Sequence, residues 1–475
     1  MLPIHRSILL TALLATAAHA ASPTLFPAAG SSNICPDTPL TITFAAPPAL
    51  GTGTIQIIDA DTHKPVETID AATPVATKDV GPLSDYSYYP IIITGNEAAI
   101  YPKNHALTYH KTYYVTVDEG VFKGGPGITD PNAWRFTTKD APPAAGATKL
   151  TIAADGTGDF CTVQGAIDFI PDNNTTPTTL FLKKGIYTEL VAIQNKHALT
   201  LLGEDRKQSI IQYANNDKLN HNNGPDGKHV YHRGVFLADK CHDLVLANLT
   251  INDTTPKGGS QAEAIIFNGT NTAHAIVTNV DLHSFQDTLQ INGQAYISHC
   301  DIEGDVDFMW GKGPCFFENC ESKALNTKGY YTQIRNTDAN HGYVYFHCTF
   351  DGSPGVKNMF LSRIEPTRFP NSEVVLLDCT LTDAVNPIGW MLNGPKGTPP
   401  EELAKSAANV HFWEFNSHTP EVQPIDAGKR LRISRQLTQA QDAEAIKNYS
   451  DPVWVLGGDW NPRSASIFGL LQSAK

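Results

Sequence analysis

A chain of 475 residues, 41% hydrophobic and 17% charged, is too long for one ordinary compact core and points to two domains, or one domain plus a solenoid. Its formal net charge of −13 argues against nucleic acid as a partner, because the phosphates would be repelled. An acidic polysaccharide is not excluded, since it needs only a local basic or polar cleft.

The first twenty residues, MLPIHRSILLTALLATAAHA, carry His5 and Arg6, then an apolar run over residues 8–18, and end in Ala18-His19-Ala20. This pattern predicts a signal peptide (1–20) cleaved after Ala20, and so a secreted protein, extracellular or periplasmic. The run is too short to span a membrane and no later segment approaches that length, so no membrane partner is expected. An exported chain with eight cysteines could form disulfides. The spacing is not that of a small disulfide scaffold, and no C-x-x-C pair suggests zinc.

Residues 22–139 alternate with period two in short stretches such as Leu40-Thr-Ile-Thr-Phe44, Thr54-Ile-Gln-Ile57, Tyr113 to Val117 and Trp134-Arg-Phe-Thr137. Glycines punctuate them, which predicts a β-sandwich. The stretch resembles the bacterial Ig-like modules appended to secreted enzymes, with a spacer role expected ahead of sugar binding. Residues 140–147, DAPPAAGA, read as a linker.

From residue 148 to 475 a short element recurs after apolar strands. It stands as Asn248-Leu-Thr-Ile251, Asn279-Val-Asp-Leu282, His299-Cys-Asp-Ile302, Asn319-Cys-Glu-Ser322, His347-Cys-Thr-Phe350 and Asp378-Cys-Thr-Leu381. Its starts are 31, 20, 20, 28 and 31 residues apart. Fixed strands with variable insertions predict a right-handed parallel β-helix, making the whole chain all-β. Residues 162–170 suit a short helix capping the open end, and the helical stretch from Thr438 to Ile446 suits a tail packed along the outside. Rungs about 4.8 Å apart would stack the second positions of the element. A Cys300–Cys320 disulfide is the pairing expected from this, with Cys348–Cys379 a second possibility and a column of reduced thiols the other reading.

The same register brings two carboxylates together. Asp287 and Asp307 each precede a cysteine of the column, Cys300 and Cys320, by thirteen residues. Two acids on neighbouring rungs push one pKa up, so one can stay protonated while the other is ionised. No G-x-S-x-G elbow offers serine chemistry instead.

Five segments in order, Gly185-Ile-Tyr-Thr-Glu189, Gln261-Ala-Glu-Ala264, Gln286-Asp-Thr-Leu289, Asp307-Phe-Met-Trp-Gly311 and Leu361-Ser-Arg363, resemble the signature of the pectin methylesterases (pectinesterases). The resemblance runs from about Lys149 to Pro462 and includes Gly389-Trp390 and Trp460-Asn461-Pro462. It implies hydrolysis of the methyl esters of pectin (methylated homogalacturonan) to pectate and methanol, by a monomer without cofactor or metal. It implies that Asp307 is the nucleophile and Asp287 the general acid and then base. Gln261 and Gln286 would donate to the oxyanion, and Arg363 would hold Asp307. Tyr187 and Glu189 are expected to be structural. Trp310, and less firmly Trp390, would line the sugar cleft. One departure stands out: Ile364-Glu365 replace the family's Pro-Trp. That change bears on the preferred methylation pattern and leaves an esterase for another acyl group open. The rivals are a β-helix lyase or hydrolase on the same polymer, and a non-catalytic polysaccharide-binding solenoid.

Overall fold

The computed structural model describes residues 23–221, 232–270 and 272–473; the predicted signal peptide lies outside them. The N-terminal part is a sandwich of two sheets. One holds the antiparallel strands Thr24–Phe26, Leu40–Thr43, Glu97–Ile100 and Ile91–Thr94. The other holds Ser31–Ile34, Arg135–Thr138, Thr112–Val117, Thr54–Asp59 and Pro65–Asp70, antiparallel save for the first pair. Alternation puts Ile42, Ile57, Val115, Trp134 and Phe136 in the core between them, as a half-buried strand requires.

From Lys149 onward the chain winds through three parallel sheets, of eleven, eight and eight strands among the described residues. Each turn of chain adds one strand to each sheet, and every strand pairs in parallel with its counterpart one coil away. The recurring element is the corner between the eleven-stranded sheet and the first eight-stranded sheet. Its leading residues, Asn248, Asn279, His299, Asn319, His347 and Asp378, all have φ between 52° and 58°. That left-handed conformation is costly for most side chains, and Asn, Asp and His are the types that visit it most readily. The asparagines also stack: Asn279 donates its amide to Asn248 Oδ1 at 2.7 Å, and Asn248 donates to the Gly203 carbonyl at 2.8 Å.

The second residues of the corners, Leu249, Val280, Cys300, Cys320, Cys348 and Cys379, are buried in one column. The expected Cys300–Cys320 disulfide is not formed, and neither is Cys348–Cys379; these cysteines are free. The Cys300 and Cys320 thiols instead donate to the Val277 and Ile297 carbonyls, each at 3.5 Å. The reason is the fold's translational repeat. Side chains at equivalent corners point the same way, and a rung spacing of about 4.8 Å exceeds the roughly 3.8 Å between Cβ atoms that a disulfide needs.

Helix Val163–Phe169 closes the first coil, with Thr162 as its N-cap accepting from Gly165 N at 3.0 Å. Glu189 of the Gly-x-Tyr-x-Glu segment accepts from Val163 and Gln164 N at 2.8 and 2.9 Å. The Tyr187 hydroxyl donates to the Lys183 carbonyl at 2.9 Å. Both residues are therefore structural. Helix Gln439–Tyr449 and the segments after it lay Tyr449, Leu456 and Ile467 on the outer face of the eleven-stranded sheet, against Tyr296, Phe316 and Val375. That leaves the second eight-stranded sheet to carry the site. The sandwich is not held at a distance: its hairpin Ala76–Val80/Leu83–Tyr88 adds Val80, Tyr86 and Tyr88 to the core of the solenoid.

Candidate active site

The second eight-stranded sheet positions the chemistry. Its neighbouring strands Leu289–Ile291, Val306–Gly311, Tyr330–Ile334 and Phe360–Ile364 pair so that Gln290, Trp310 and Gln333 stack in one row. Just before the regular pairing, Gln286 bridges Val306, so the twenty-residue offset sets Asp287 beside Asp307. Both aspartates take left-handed backbone conformations, φ 68° and 49°, and the pairing register shifts between Val306 and Met309. A bulge of this kind re-aims a side chain at a sheet edge. Here it lets Asp307 meet Arg363 while Phe308 and Met309 stay in the core. Gly311 closes the motif because a Cβ there would lie 1.9 Å from the Ile291 carbonyl oxygen, at a φ of 148°.

Arg363 grips Asp307 through Nε, at 2.8 Å from Oδ1 and 3.1 Å from Oδ2, and through a second donor on Oδ2. Its guanidinium lies 4.3 Å from the centre of the Tyr330 ring. Burial pushes both carboxyls above the ordinary aspartate range, but unequally. For Asp307 the hydrogen bonds and charge of Arg363 pull back down. For Asp287 the negative charges of Glu263 and Asp307 add to burial, against the opposing charges of Arg233 and Arg335, and leave it well above. The two neighbouring carboxyls are thereby held unequally, Asp287 higher than Asp307.

Three charged residues here went unrecognised in the sequence. Arg233 donates to both oxygens of the fully buried Glu263 at 2.6–2.9 Å, and to Asp287 Oδ2 at 3.1 Å. The signal was available: a glutamate inside the apolar run Ala262-Glu-Ala-Ile-Ile-Phe267 needs a buried cation. Arg335 is the third. Its guanidinium lies 4.8 Å from the Trp310 ring and 5.4 Å from that of Phe369. Phe369 thus brings an aromatic into the region where Ile364-Glu365 removed one. Ile364 is buried and Glu365 pairs with Arg368 at 3.4 Å.

Gln261 and Gln286 lie on adjacent rungs, linked by a hydrogen bond from Ala262 N to the Gln286 carbonyl at 3.1 Å. Both are half-buried. The Gln261 side chain spends only its oxygen, accepting from Ser260 Oγ at 3.1 Å. Trp310 is in the site but is not an open stacking platform. It is only 8% exposed and has Arg335 over its ring, with Arg233 at 5.7 Å. Trp390 is a correction. It pairs with Ser362 rather than Arg363, so it points inward, stacks on Phe412 at 4.6 Å and donates to Glu414 at 3.2 Å. Met391 takes the position beside Arg363.

The comparisons with known proteins agree with this geometry. Residues 149–400 match the family model described as Pectinesterase, and residues 20–138 match that of a bacterial Ig-like domain. Pectinesterase 1 of Olea europaea is 30% identical over 373 residues, covering 76% of this chain and 90% of that protein. Among solved structures, pectin methylesterase from carrot shares the fold with a TM-score of 0.55 at 20% identity, over 70% of this chain and 98% of its own. A pectin methylesterase solved in complex with hexasaccharide VII does so at 0.52 and 22%, over 67% and 99%. With its family model covering more than half its length, this chain belongs to the pectinesterase family of carboxylic ester hydrolases, carried behind a bacterial Ig-like domain.

Proposed function

We propose that the chain hydrolyses galacturonate methyl esters of pectin through an acyl-enzyme on Asp307. The observation that carries this reading is the geometry of the pair: Asp307 is clamped by Arg363, and Asp287 lies on the neighbouring rung, where burial and the charge of Glu263 raise its carboxyl. The Asp307 carboxylate attacks the ester carbonyl. The tetrahedral oxyanion is met by the amide N–H groups of Gln261 and Gln286. Asp287 passes its proton to the departing methanol, leaving an anhydride between Asp307 and the galacturonate carboxyl. Asp287, now a carboxylate, takes a proton from water, which attacks the anhydride and frees the galacturonate and Asp307. A pectin methylesterase of the same fold solved in complex with a hexasaccharide supports an oligosaccharide ligand, and the predicted signal peptide supports action outside the cytoplasm.

The decisive assay follows methanol and chain length together on highly methylated pectin. Methanol release with no shortening of the polymer is the expected result. New unsaturated or reducing ends would assign the site to a lyase or glycosidase. No methanol from folded enzyme would move the reading to another ester or to a binding role.

Glu263 gives a pH prediction. Asp287 must be protonated to assist methanol, so activity is present below its raised pKa and is lost as pH rises through it. Glu263→Gln removes a negative neighbour and frees Arg233 to act on Asp287, and both changes lower that pKa. The alkaline limb of the kcat profile is expected to move to lower pH. Because a normalised profile does not depend on how much enzyme folds, an unmoved limb would show that the Arg233–Glu263 pair serves only stability.

A further inference from the structure

A cavity of about 980 Å³ lies between the Ig-like module and the first coils of the solenoid, away from the carboxylates. Beside it, two cysteines of different modules face each other. Cys35 follows strand Ser31–Ile34 of the sandwich, and Cys161 stands just before Thr162, the N-cap of the helix that closes the solenoid. Both are buried free thiols in this structure, and their sulfurs lie within 4.8 Å of each other. The backbone around them is fixed from both sides. Asp37 Oδ2 accepts from Cys161 N at 2.9 Å, from Thr162 N at 2.8 Å and from Thr162 Oγ1 at 2.8 Å. Lys139 donates to the Gly158 and Asp159 carbonyls, to which the Cys35 thiol also reaches.

We propose that Cys35 and Cys161 are joined by a disulfide that fastens the Ig-like module to the capped end of the solenoid. This pair differs from the cysteine column in the respect that matters. The column's sulfurs belong to parallel, translationally repeated corners, whereas Cys35 and Cys161 come from separate chain segments, so no repeat holds their side chains to one direction. The inference rests on export to an oxidising compartment, where such bonds persist.

The chemistry is a thiol–disulfide exchange with an external disulfide, of low molecular weight or on an oxidoreductase. Both sulfurs are buried in the folded protein, so the exchange takes place before the two modules close on each other; Cys161 can begin it. As its thiolate it attacks the external S–S bond, losing its proton to solvent and releasing one external thiolate. Cys35 then attacks the mixed disulfide at the Cys161 sulfur, loses its own proton and releases the second. Two protons and two electrons leave the protein, and the external disulfide becomes two thiols.

The competing occupant is a zinc ion held by Cys35, Asp37 and Cys161, the one cluster of such donors among the described residues. The test separates the two. Full-length protein exported to an oxidising compartment is unfolded and alkylated with and without reductant, and its cross-linked peptides and zinc content are measured. Six of the eight cysteines are expected to react before reduction and all eight after it, with Cys35 and Cys161 in one cross-linked peptide pair. Eight reactive cysteines without reductant, a cross-link between other cysteines, or stoichiometric zinc would overturn the proposal. Thermal unfolding gives a second reading: reductant should lower the Tm of the wild type by several degrees and leave Cys35→Ser unmoved. An equal reductant effect on the variant would count against the bond.

Discussion

Asp307→Asn is expected to cut methanol release from methylated pectin by at least about 10⁴-fold in kcat, with KM little changed. A carboxamide cannot form the anhydride, so what remains is catalysis by the oxyanion donors and by positioning, and removing a nucleophile typically costs this much or more. In free-energy terms that is about 5.5 kcal/mol of transition-state stabilisation. The substitution is nearly isosteric and keeps an acceptor for Arg363, so the solenoid should fold; circular dichroism and an unchanged affinity for a de-esterified oligogalacturonide would establish that. A folded variant with wild-type kcat would remove Asp307 from the reaction and leave the two-acid mechanism without its nucleophile.

Asp287→Asn should be the next most damaging change, lowering kcat by about 10²–10⁴-fold, the usual range for a general acid–base group. It should also change the form of the kinetics. With an ester whose leaving group needs no proton, acylation recovers but deacylation does not, since no base is left to activate water. The expected trace is a burst of one equivalent of alcohol followed by slow turnover. The alkaline limb of the pH profile should vanish with the group that titrates there. Loss without a burst, and with the limb retained, would assign the acid role elsewhere. The Glu263→Gln experiment then reports on the same proton from its surroundings, and the three results together distinguish a nucleophile, an acid and the charge that tunes it.

The carboxylate pair was legible in the sequence because a solenoid turns sequence spacing into spatial stacking. Where no insertion intervenes, residues twenty apart sit one rung apart, and the Gln286–Val306 bridge is that relation realised. The corner residues were legible for a similar reason: a left-handed φ restricts the side chain, so Asn, His and Asp mark the turn wherever it recurs. Arg233 was harder to see. It lies thirty residues from Glu263, across a coil of irregular length, and spacing alone does not align it. Trp390 failed on parity. One residue along a strand reverses the side chain, and only the pairing with Ser362 fixes which way the tryptophan faces.

By itself, then, the sequence determined the all-β division into sandwich and solenoid, the family, and the meeting of Asp287, Asp307 and Arg363. The division and the stacked carboxylates follow from period, backbone conformation and residue type, which are local; the family and the place of Arg363 follow from the resemblance carried by the five ordered segments. Only the tertiary structure decided that the cysteine column stays unpaired, that Trp390 belongs to the core, that Arg233 and Glu263 bear on Asp287, and that Cys35 meets Cys161. Those outcomes depend on the direction each side chain takes and on which distant segments the packing brings within a few ångströms, and neither is encoded in a repeat length.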